Sequence, residues 1–587
     1  MIKILPSSAS AVLRYGIKPI QNAKAKASFG RKPKEQSFEL KSVHLRALWG
    51  DTHIEAIVNA KSELFIRSIS LIVRFKASRL VRDLTVWSES YSNELKPGKT
   101  KSMPGTLSGS TRHEGAWAMW ISDSADVDGL FLKQIHQVDY PIMFECRPLN
   151  HILSIRWEIN RRLKIRETLN LPSVMLSRGP LERLISGWVQ NWKASRVFPR
   201  GGRLGWCDSG KSKTQKDLLE ILGALRSSKI RVNWFALGPQ YASQMGDWIT
   251  PKNPDLMNTF VRTIMEQNIT PGLRLAPFLA SRKSSLAAKK RSWFVSGDNG
   301  IPITVKRYET DRDNCYVLDL SNPKVLDHIR RMFSLMREQW GFHAFYLERL
   351  GDSLAPGLRQ KENYSAGELL NDGAMAIRDA VGDRGLLVAA DLPLLATHGI
   401  WDAQVMARSL GEIHRQIFVK KQSAKMTVAS TLLHRSAWNE SSWINTAGLL
   451  PVSLFNTRDA ASSTLITAIA LSCGLVCFSG DPREIDKETR GSIQEFLIRF
   501  SKCRKGRLSL MPKADDEIDD LLVVRNNQGW MALFNFSDRK AQMRLDSKSL
   551  QSRLGVSTPL STGSGAVFNS PEIHVFLPPR GHRLFRG

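Results

Sequence analysis

No apolar run in this chain approaches the 18 or so residues that cross a bilayer, so a membrane-spanning helix is not expected. The start, MIKILPSSASAVLRYGIKPIQNAKAKASFGRKPK, lacks the continuous apolar core of a secretory leader, and no acid precedes Glu35. Acid-free starts with Arg, Ser and Ala also occur as organelle transit peptides. In a chain that is basic throughout, a disordered basic tail over residues 1–37 is the simpler expectation. A soluble protein follows, with the cytoplasm favoured and the compartment otherwise open. Cysteine is scarce and scattered: Cys146, Cys207, Cys315, Cys473, Cys477 and Cys503. None stands in a His/Cys cluster with metal-ligand spacing, so core thiols are expected and a metal site is not.

Acidic residues are also in deficit. Lys and Arg number 84 against 55 Asp and Glu, a formal net charge of +29. Such a balance suits nucleic acid, an acidic polymer or a membrane surface as partner. The basic residues are dispersed, however, and the densest region, Arg156 to Arg203, falls between two expected domains. No known nucleic-acid motif is present, so neither nucleic acid nor a membrane is the expected partner.

What is present is globular. Hydrophobic content of 42% and charged content of 24% over 587 residues suit about three domains. Residues 38–185 read as an N-terminal β-sandwich, because short alternating runs are divided by Gly, Ser, Pro and Asn. SISLIVRF puts Ile69, Leu71, Val73 and Phe75 on one face. HILSIRWEI does the same with Ile155, Trp157 and Ile159, and GAWAMWI places Trp117 and Met119 opposite Ala118 and Trp120.

From 186 to 504, strand-like runs alternate with helical patterns, which argues for parallel βα units closing a (β/α)₈ TIM barrel. The strand candidates are RLGWC (203–207), RVNWFAL (231–237), GLRLAPF (272–278), FHAFYLE (342–348), GLLVAAD (385–391), DAQVMAR (402–408), LLPVSLF (449–455) and GLVCFS (474–479). SNPKVLDHIRRMFSLMREQW reads as a helix with Ser321 as N-cap and Pro323 in its first turn. Residues 505–587 read as a small C-terminal antiparallel β-domain.

Glu348 is the residue that raises the question of function. It ends the buried run GFHAFYLE and precedes the loop GDSLAPGLRQKENYSAG. A carboxylate there is either a surface charge that stops a strand or a reacting group at a barrel mouth.

The segments from about 200 onward resemble, in order and spacing, the α-galactosidase (melibiase) family of retaining glycoside hydrolases. Gly205-Trp206-Cys207, Gly246-Asp247-Trp248, GLRLAPFLASRKSSL, LDLSNPKVLDHIRRMF, LPLLATHGIWDA and LPPRGHRLFR carry the likeness. The N-terminal 200 residues match only in expected architecture. The resemblance implies a β-sandwich, a catalytic barrel and a C-terminal β-domain, with no cofactor or metal; oligomers are common in this architecture. It also implies two carboxyl groups about 5–5.5 Å apart, one a nucleophile and one an acid/base.

The matching positions depart from the family pattern. The family's Lys-x-Asp reads Tyr346-Leu347-Glu348. The acid/base stretch reads Arg408-Ser409-Leu410-Gly411-Glu412, after a small insertion. The sugar-holding Asp-Asp pair falls on Ala236-Leu237, and Ala390-Asp391 stands where Cys-Gly is usual. By resemblance, Glu348 is the nucleophile and Glu412 the acid/base. Trp206 and Trp248 are either sugar-stacking platforms or barrel-top packing. Asp247 binds a hydroxyl or caps its loop, and Asp391 is a spare carboxylate or a structural one. Arg408 holds Glu412, a hydroxyl or a surface partner, and Tyr346 lines the site without the usual cation.

Three readings stay open: an α-glycosidase with an altered pocket, a carbohydrate-binding pseudo-enzyme, and a basic protein binding an anionic polymer. The charge favours an acidic or sulfated glycan, which would need a basic patch at the mouth from Arg274, Arg282, Lys283 and Arg349.

Overall fold

The computed structural model describes the chain apart from residues 1–2, 16–20, 27, 30–34, 78–84, 90–104, 107–111, 123–128, 136–139, 195–201, 209–213, 307–313, 408–409, 411–417, 458, 504–507, 516–517, 527–529, 547–559, 563–566, 569–571 and 587. The alternating N-terminal runs form two antiparallel sheets. The six-stranded sheet runs, in spatial order, His113–Ala116, Ile142–Arg147, Ile152–Leu163, Leu64–Lys76, Lys3–Tyr15 and Gln21–Lys26. The nine-stranded sheet includes Glu35–Leu40, Val43–Trp49, His53–Ala60, Thr168–Gly179, Gly129–Gln134 and Ala118–Ser122. Leu13, Ile69, Leu71, Ile155 and Trp157 of the first share one core with Phe38, Leu45, Ile54, Leu132 and Val174 of the second. Each such fully buried aliphatic or aromatic side chain is worth about 1.5–3 kcal/mol.

Two expectations are corrected here. The described part of residues 1–37 is not a disordered tail: Lys3–Tyr15 pairs with Leu64–Lys76, and Ala9, Ala11 and Leu13 are buried. Alternate small and apolar residues outweigh the flanking cations, which lie on the solvent face. GAWAMWI is not one strand. Trp117 has φ of 69°, a left-handed turn at which the chain leaves the six-stranded sheet and joins the nine-stranded one.

Eight parallel strands close a barrel. In chain order they are β1 (Leu204–Asp208), β2 (Trp234–Leu237), β3 (Thr270–Leu275), β4 (Ala344–Leu347), β5 (Leu386–Ala389), β6 (Ala403–Val405), β7 (Ile444–Pro451) and β8 (Leu475–Gly480). Every expected run overlaps one of them. The seventh is displaced: the strand starts at Ile444, and Val452–Asn456 is a 3₁₀ turn, because Pro451 ends the ladder. The flanking helices are α1 (Gln215–Ser227), α2 (Pro254–Glu266), α3 (Pro323–Ser334), α4 (Ala366–Val381), α5 (Phe418–His434), α6 (Ala460–Ser472) and α7 (Lys487–Cys503).

The N-cap of α3 is Asn322, not Ser321: Lys324 N–H donates to Asn322 Oδ1 at 3.0 Å, while Ser321 Oγ donates to Asp319. Between β3 and α3 lies a small sheet of Leu279–Ser281, Cys315–Val317 and Thr304–Val305. At the C-terminus, Leu508–Asp515, Ile518–Asn526, Trp530–Asn535 and His582–Arg586 lie in a six-stranded sheet, and Ala541–Asp546 pairs with Glu572–Leu577. Leu521, Val523, Leu533, Met543, Val575 and Phe585 form a common core.

By packing, the chain forms two compact units. One comprises Met1–Trp192, Pro239–Pro254 and Arg274–Trp401. The other comprises Lys193–Gly238, Asp255–Leu273 and Asp402–Gly587. No helix among the described residues is long and apolar enough to cross a membrane.

Candidate active site

Strand alternation decides which side chains of β4 face the barrel lumen. Phe345 packs edge-on against Phe333 of α3, with centroids 5.2 Å apart, so it points outward. Tyr346 and the next alternate residue, Glu348, therefore point inward. Tyr346 is buried, and Glu348 sits just past the strand's C-terminal end with its side chain 16% exposed. Its backbone N–H donates to Leu275 O at 2.9 Å, tying the end of β4 to the end of β3. Arg274 of β3 then places Nε 3.6 Å from Glu348 Oε2. Both groups are largely withdrawn from water, where a charge pair is screened far less than at the surface.

The backbone beyond Glu348 is held from β5. Arg349 has φ of 57° and Asp391 φ of 58°, both left-handed. Such residues persist where the surroundings over-determine them. Here Arg349 N–H donates to Asp391 Oδ2 at 3.0 Å, and Gly351 N–H donates to Asp391 O at 2.8 Å. A Cβ at residue 351 would stand 2.5 Å from Asp391 O, so glycine permits the close approach. The Arg349 side chain turns inward to Asp352, with Nε to Oδ2 at 2.8 Å, and its Nη1 contacts Cys315 Sγ at 3.7 Å. Asp391 thus acts on backbone here.

The next loop is pinned by a residue that the sequence does not mark. Arg359 donates from Nη2 to Ser353 O at 2.7 Å and Ala355 O at 2.9 Å. Burial brings its guanidinium down to about 10, with Asp319 opposing the shift. Asp319 in turn accepts from Ser321 N–H and Gln360 N–H. Nothing but an arginine within a Pro/Gly-rich loop announces this network.

The other expected site residues are placed as follows. Asp247 accepts from Ser285 N–H, Ser285 Oγ and Leu286 N–H at 2.7–3.2 Å, so its carboxylate caps the short helix Ser285–Lys289. Trp248 is 2% exposed and packs against Tyr241 with centroids 6.1 Å apart. Neither Trp248 Nε1 nor Tyr241 Oη has a hydrogen-bond partner among the described residues, and burial pushes the Tyr241 phenol up. The four cations expected as a patch divide. Arg274 and Arg349 are ion-paired, whereas Arg282 and Lys283 are exposed, with Arg282 over the Tyr316 ring.

In the second unit, Trp206 does not face the lumen. Gly205 takes the inward position because Trp234 fills the space where a Cβ would lie, at 2.1 Å. Trp206 falls on the opposite face beside Phe478, which meets Phe496 of α7, and its Nε1 donates to Gly480 O at 3.2 Å. Of the two readings open for Trp206, the structure gives packing, here against the helical layer. Ala236 and Leu237 are buried and apolar. Asp208, 1% exposed, ends β1; its only sequence signal is that it follows Gly205-Trp206-Cys207 at a strand end. Arg408 and Glu412 lie outside the described residues.

No family model matches the sequence. Solved structures do match the fold. An α-galactosidase from Thermus thermophilus in complex with stachyose is 16% identical, with 80% of this chain and 99% of that one covered and a TM-score of 0.55. A GH36 α-galactosidase variant from Geobacillus stearothermophilus in complex with 1-deoxygalactonojirimycin is 11% identical, covering 100% and 87%, with a TM-score of 0.56. The α-galactosidase from Lactobacillus brevis is 11% identical, covering 100% and 85%, with a TM-score of 0.55. The chain therefore has the fold of these glycosidases.

Proposed function

We propose that the protein is a retaining α-glycosidase of α-galactosidase type, acting at the C-terminal mouth of the barrel. Glu348 is the nucleophile and Glu412 the acid/base. The observation that carries this reading is Glu348 itself: an inward-facing carboxylate at the end of β4, fixed by two neighbouring strands and faced by Arg274. Its carboxylate attacks the anomeric carbon as the glycosidic bond breaks, and Glu412 gives its proton to the leaving oxygen. Glu412 then takes a proton from the water that releases the sugar. Arg274 supplies, from β3, a positive charge where the resemblance puts a lysine at Tyr346; it keeps the carboxylate oriented between turnovers.

A second reading, carbohydrate binding without turnover, draws on Ala236 and Leu237. They offer no hydrogen bond where the resemblance expects two carboxylates, and each lost charge-assisted contact weakens substrate holding by about 1.5–3 kcal/mol. Asp247 and Asp391 have structural partners and are left out of the proposed sugar contacts.

The deciding experiment uses the full chain on a panel of aryl α-glycosides, with Glu348→Gln and Glu412→Gln alongside. Turnover by the wild type and reagent-level background in both variants supports hydrolysis. Equal background in all three proteins overturns it. Calorimetric titration with raffinose or stachyose then tests the binding reading, and absence of heat overturns that as well.

A further inference from the structure

The N-terminal sandwich contains a cleft that neither the barrel nor its chemistry explains. Strand Lys3–Tyr15 follows its neighbour Leu64–Lys76 as far as Leu5, opposite Arg74. Pairing resumes only at Ser10, opposite Ile72, so Pro6 to Ala9 bulge out opposite Val73. The bulge is pinned rather than loose. Gln36, 2% exposed and in the other sheet, donates from Nε2 to Pro6 O at 2.6 Å. Trp49 Nε1 donates to Gln36 Oε1 at 3.0 Å. Arg74 N–H donates to Ser8 Oγ at 2.7 Å. These bonds hold the strand away from ordinary pairing at one end of the sandwich.

Pro6 of the bulge and Trp49 of this bonded chain also line a cavity of about 530 Å³, where a sandwich of this kind would ordinarily close with side chains. That volume lies within the range of small-molecule sites. Trp49, Pro6, Leu130 and Leu176 supply apolar wall, and Lys3 and Arg178 are exposed cations at the lining. Asp51, Thr52 and Ser177 add a carboxylate and two hydroxyls.

We propose that this cleft binds an anionic saccharide, a sugar unit bearing a carboxylate or sulfate. The apolar wall suits the C–H face of a pyranose ring. The hydroxyls suit its ring substituents, and Lys3 and Arg178 suit the anionic group through charge-assisted hydrogen bonds. Among the described lining residues two cations stand against one carboxylate, in keeping with a chain of net charge +29. The cleft lies wholly within the N-terminal sheets, so it takes its ligand independently of Glu348.

The test is calorimetric titration of the full chain with trigalacturonic acid, neutral maltotriose and inorganic sulfate. Binding of the uronide, weakened by added salt, is expected, with no heat from maltotriose. The exposed pair K3E and R178E, made together, raises the uronide Kd at least ten-fold without changing the melting temperature; Lys3→Arg with Arg178→Lys retains binding. Glu348→Gln binds the uronide as the wild type does. An unchanged Kd in the charge-reversed protein, loss of binding in Glu348→Gln, or sulfate competing as strongly as the uronide overturns the assignment.

Discussion

Arg274 Nε, on β3, stands 3.6 Å from Oε2 of Glu348, just past the end of β4, and each is mostly shielded from water. If Glu348 is the nucleophile proposed above, a positive group beside it serves to orient its carboxylate for attack. Arg274→Met is expected to lower kcat/KM on an aryl α-galactoside by about 10- to 100-fold, the kinetic equivalent of losing one charge-assisted contact of about 1.5–3 kcal/mol. Arg274→Lys keeps the charge but not the guanidinium geometry and should fall between. Steady-state kinetics checks this, and unchanged kcat/KM in Arg274→Met would remove Arg274 from the site.

Asp391 makes a different kind of prediction, because its carboxylate serves a backbone amide. Asp391→Ala leaves Arg349 N–H without that acceptor and puts alanine at φ of 58°, so a loss of about 1–3 kcal/mol in urea unfolding is expected. Asp391→Asn retains an oxygen acceptor and tolerates the left-handed backbone. It should lose well under half as much. Equal losses in the two variants would show that the bond to Arg349 contributes nothing.

Gly246 has φ of 100°, and an added Cβ would lie 2.7 Å from Ala280 Cβ and 2.9 Å from its Cα. Neither neighbour is a flexible side-chain end. Gly246→Ala should therefore cost about 1–3 kcal/mol through overpacking and backbone strain. Urea unfolding of the purified variant measures it.

Two histidines predict how stability depends on pH. Burial brings His434 down to about 4, opposed by a backbone bond with Ser430. Burial, with the nearby Arg499 and Arg583, does the same to His582, whose ring nitrogens meet Thr464 and Thr467. An unfolded histidine binds its proton near pH 6.5. Between about 6.5 and 4 the unfolded chain takes up protons that the folded chain refuses, so stability falls as the pH falls through that window. Each histidine contributes up to about 1.4 kcal/mol per pH unit there. His582→Gln should flatten the dependence of the urea midpoint between pH 7 and pH 4.5; an unaltered slope would rule out His582 as a source.

How much of this was legible in the sequence follows from which physical signals are local. Ile69, Leu71, Val73 and Phe75 declare their face by period-two alternation, and the barrel strands declare themselves as buried runs between helical patterns. The basic start reads as a tail because its cations stand out more than the Ala9, Ala11, Leu13 alternation that buries it. Trp206 stays open between platform and packing in the sequence, because its motif says that a tryptophan stands there but not which way an inward glycine turns it. Arg274 beside Glu348 is a tertiary relation between residues far apart in sequence; only the register of β3 against β4 creates it. The same holds for Asp391 and Arg359, whose partners are backbone groups without a sequence signature.

The hold of Asp391 on Arg349 and Gly351 separates two tasks within a few residues. Where the end of β4 lies is set by hydrogen bonds to backbone amides, and these are indifferent to the side chain at position 348. What stands there can then be exchanged while its Cα stays where it is. Glu348→Asp on such a strand end retracts the carboxylate by about one bond length, roughly 1.5 Å, without moving the chain. Such lacing lets single substitutions at position 348 change the reach of the carboxylate proposed to react while leaving the barrel intact.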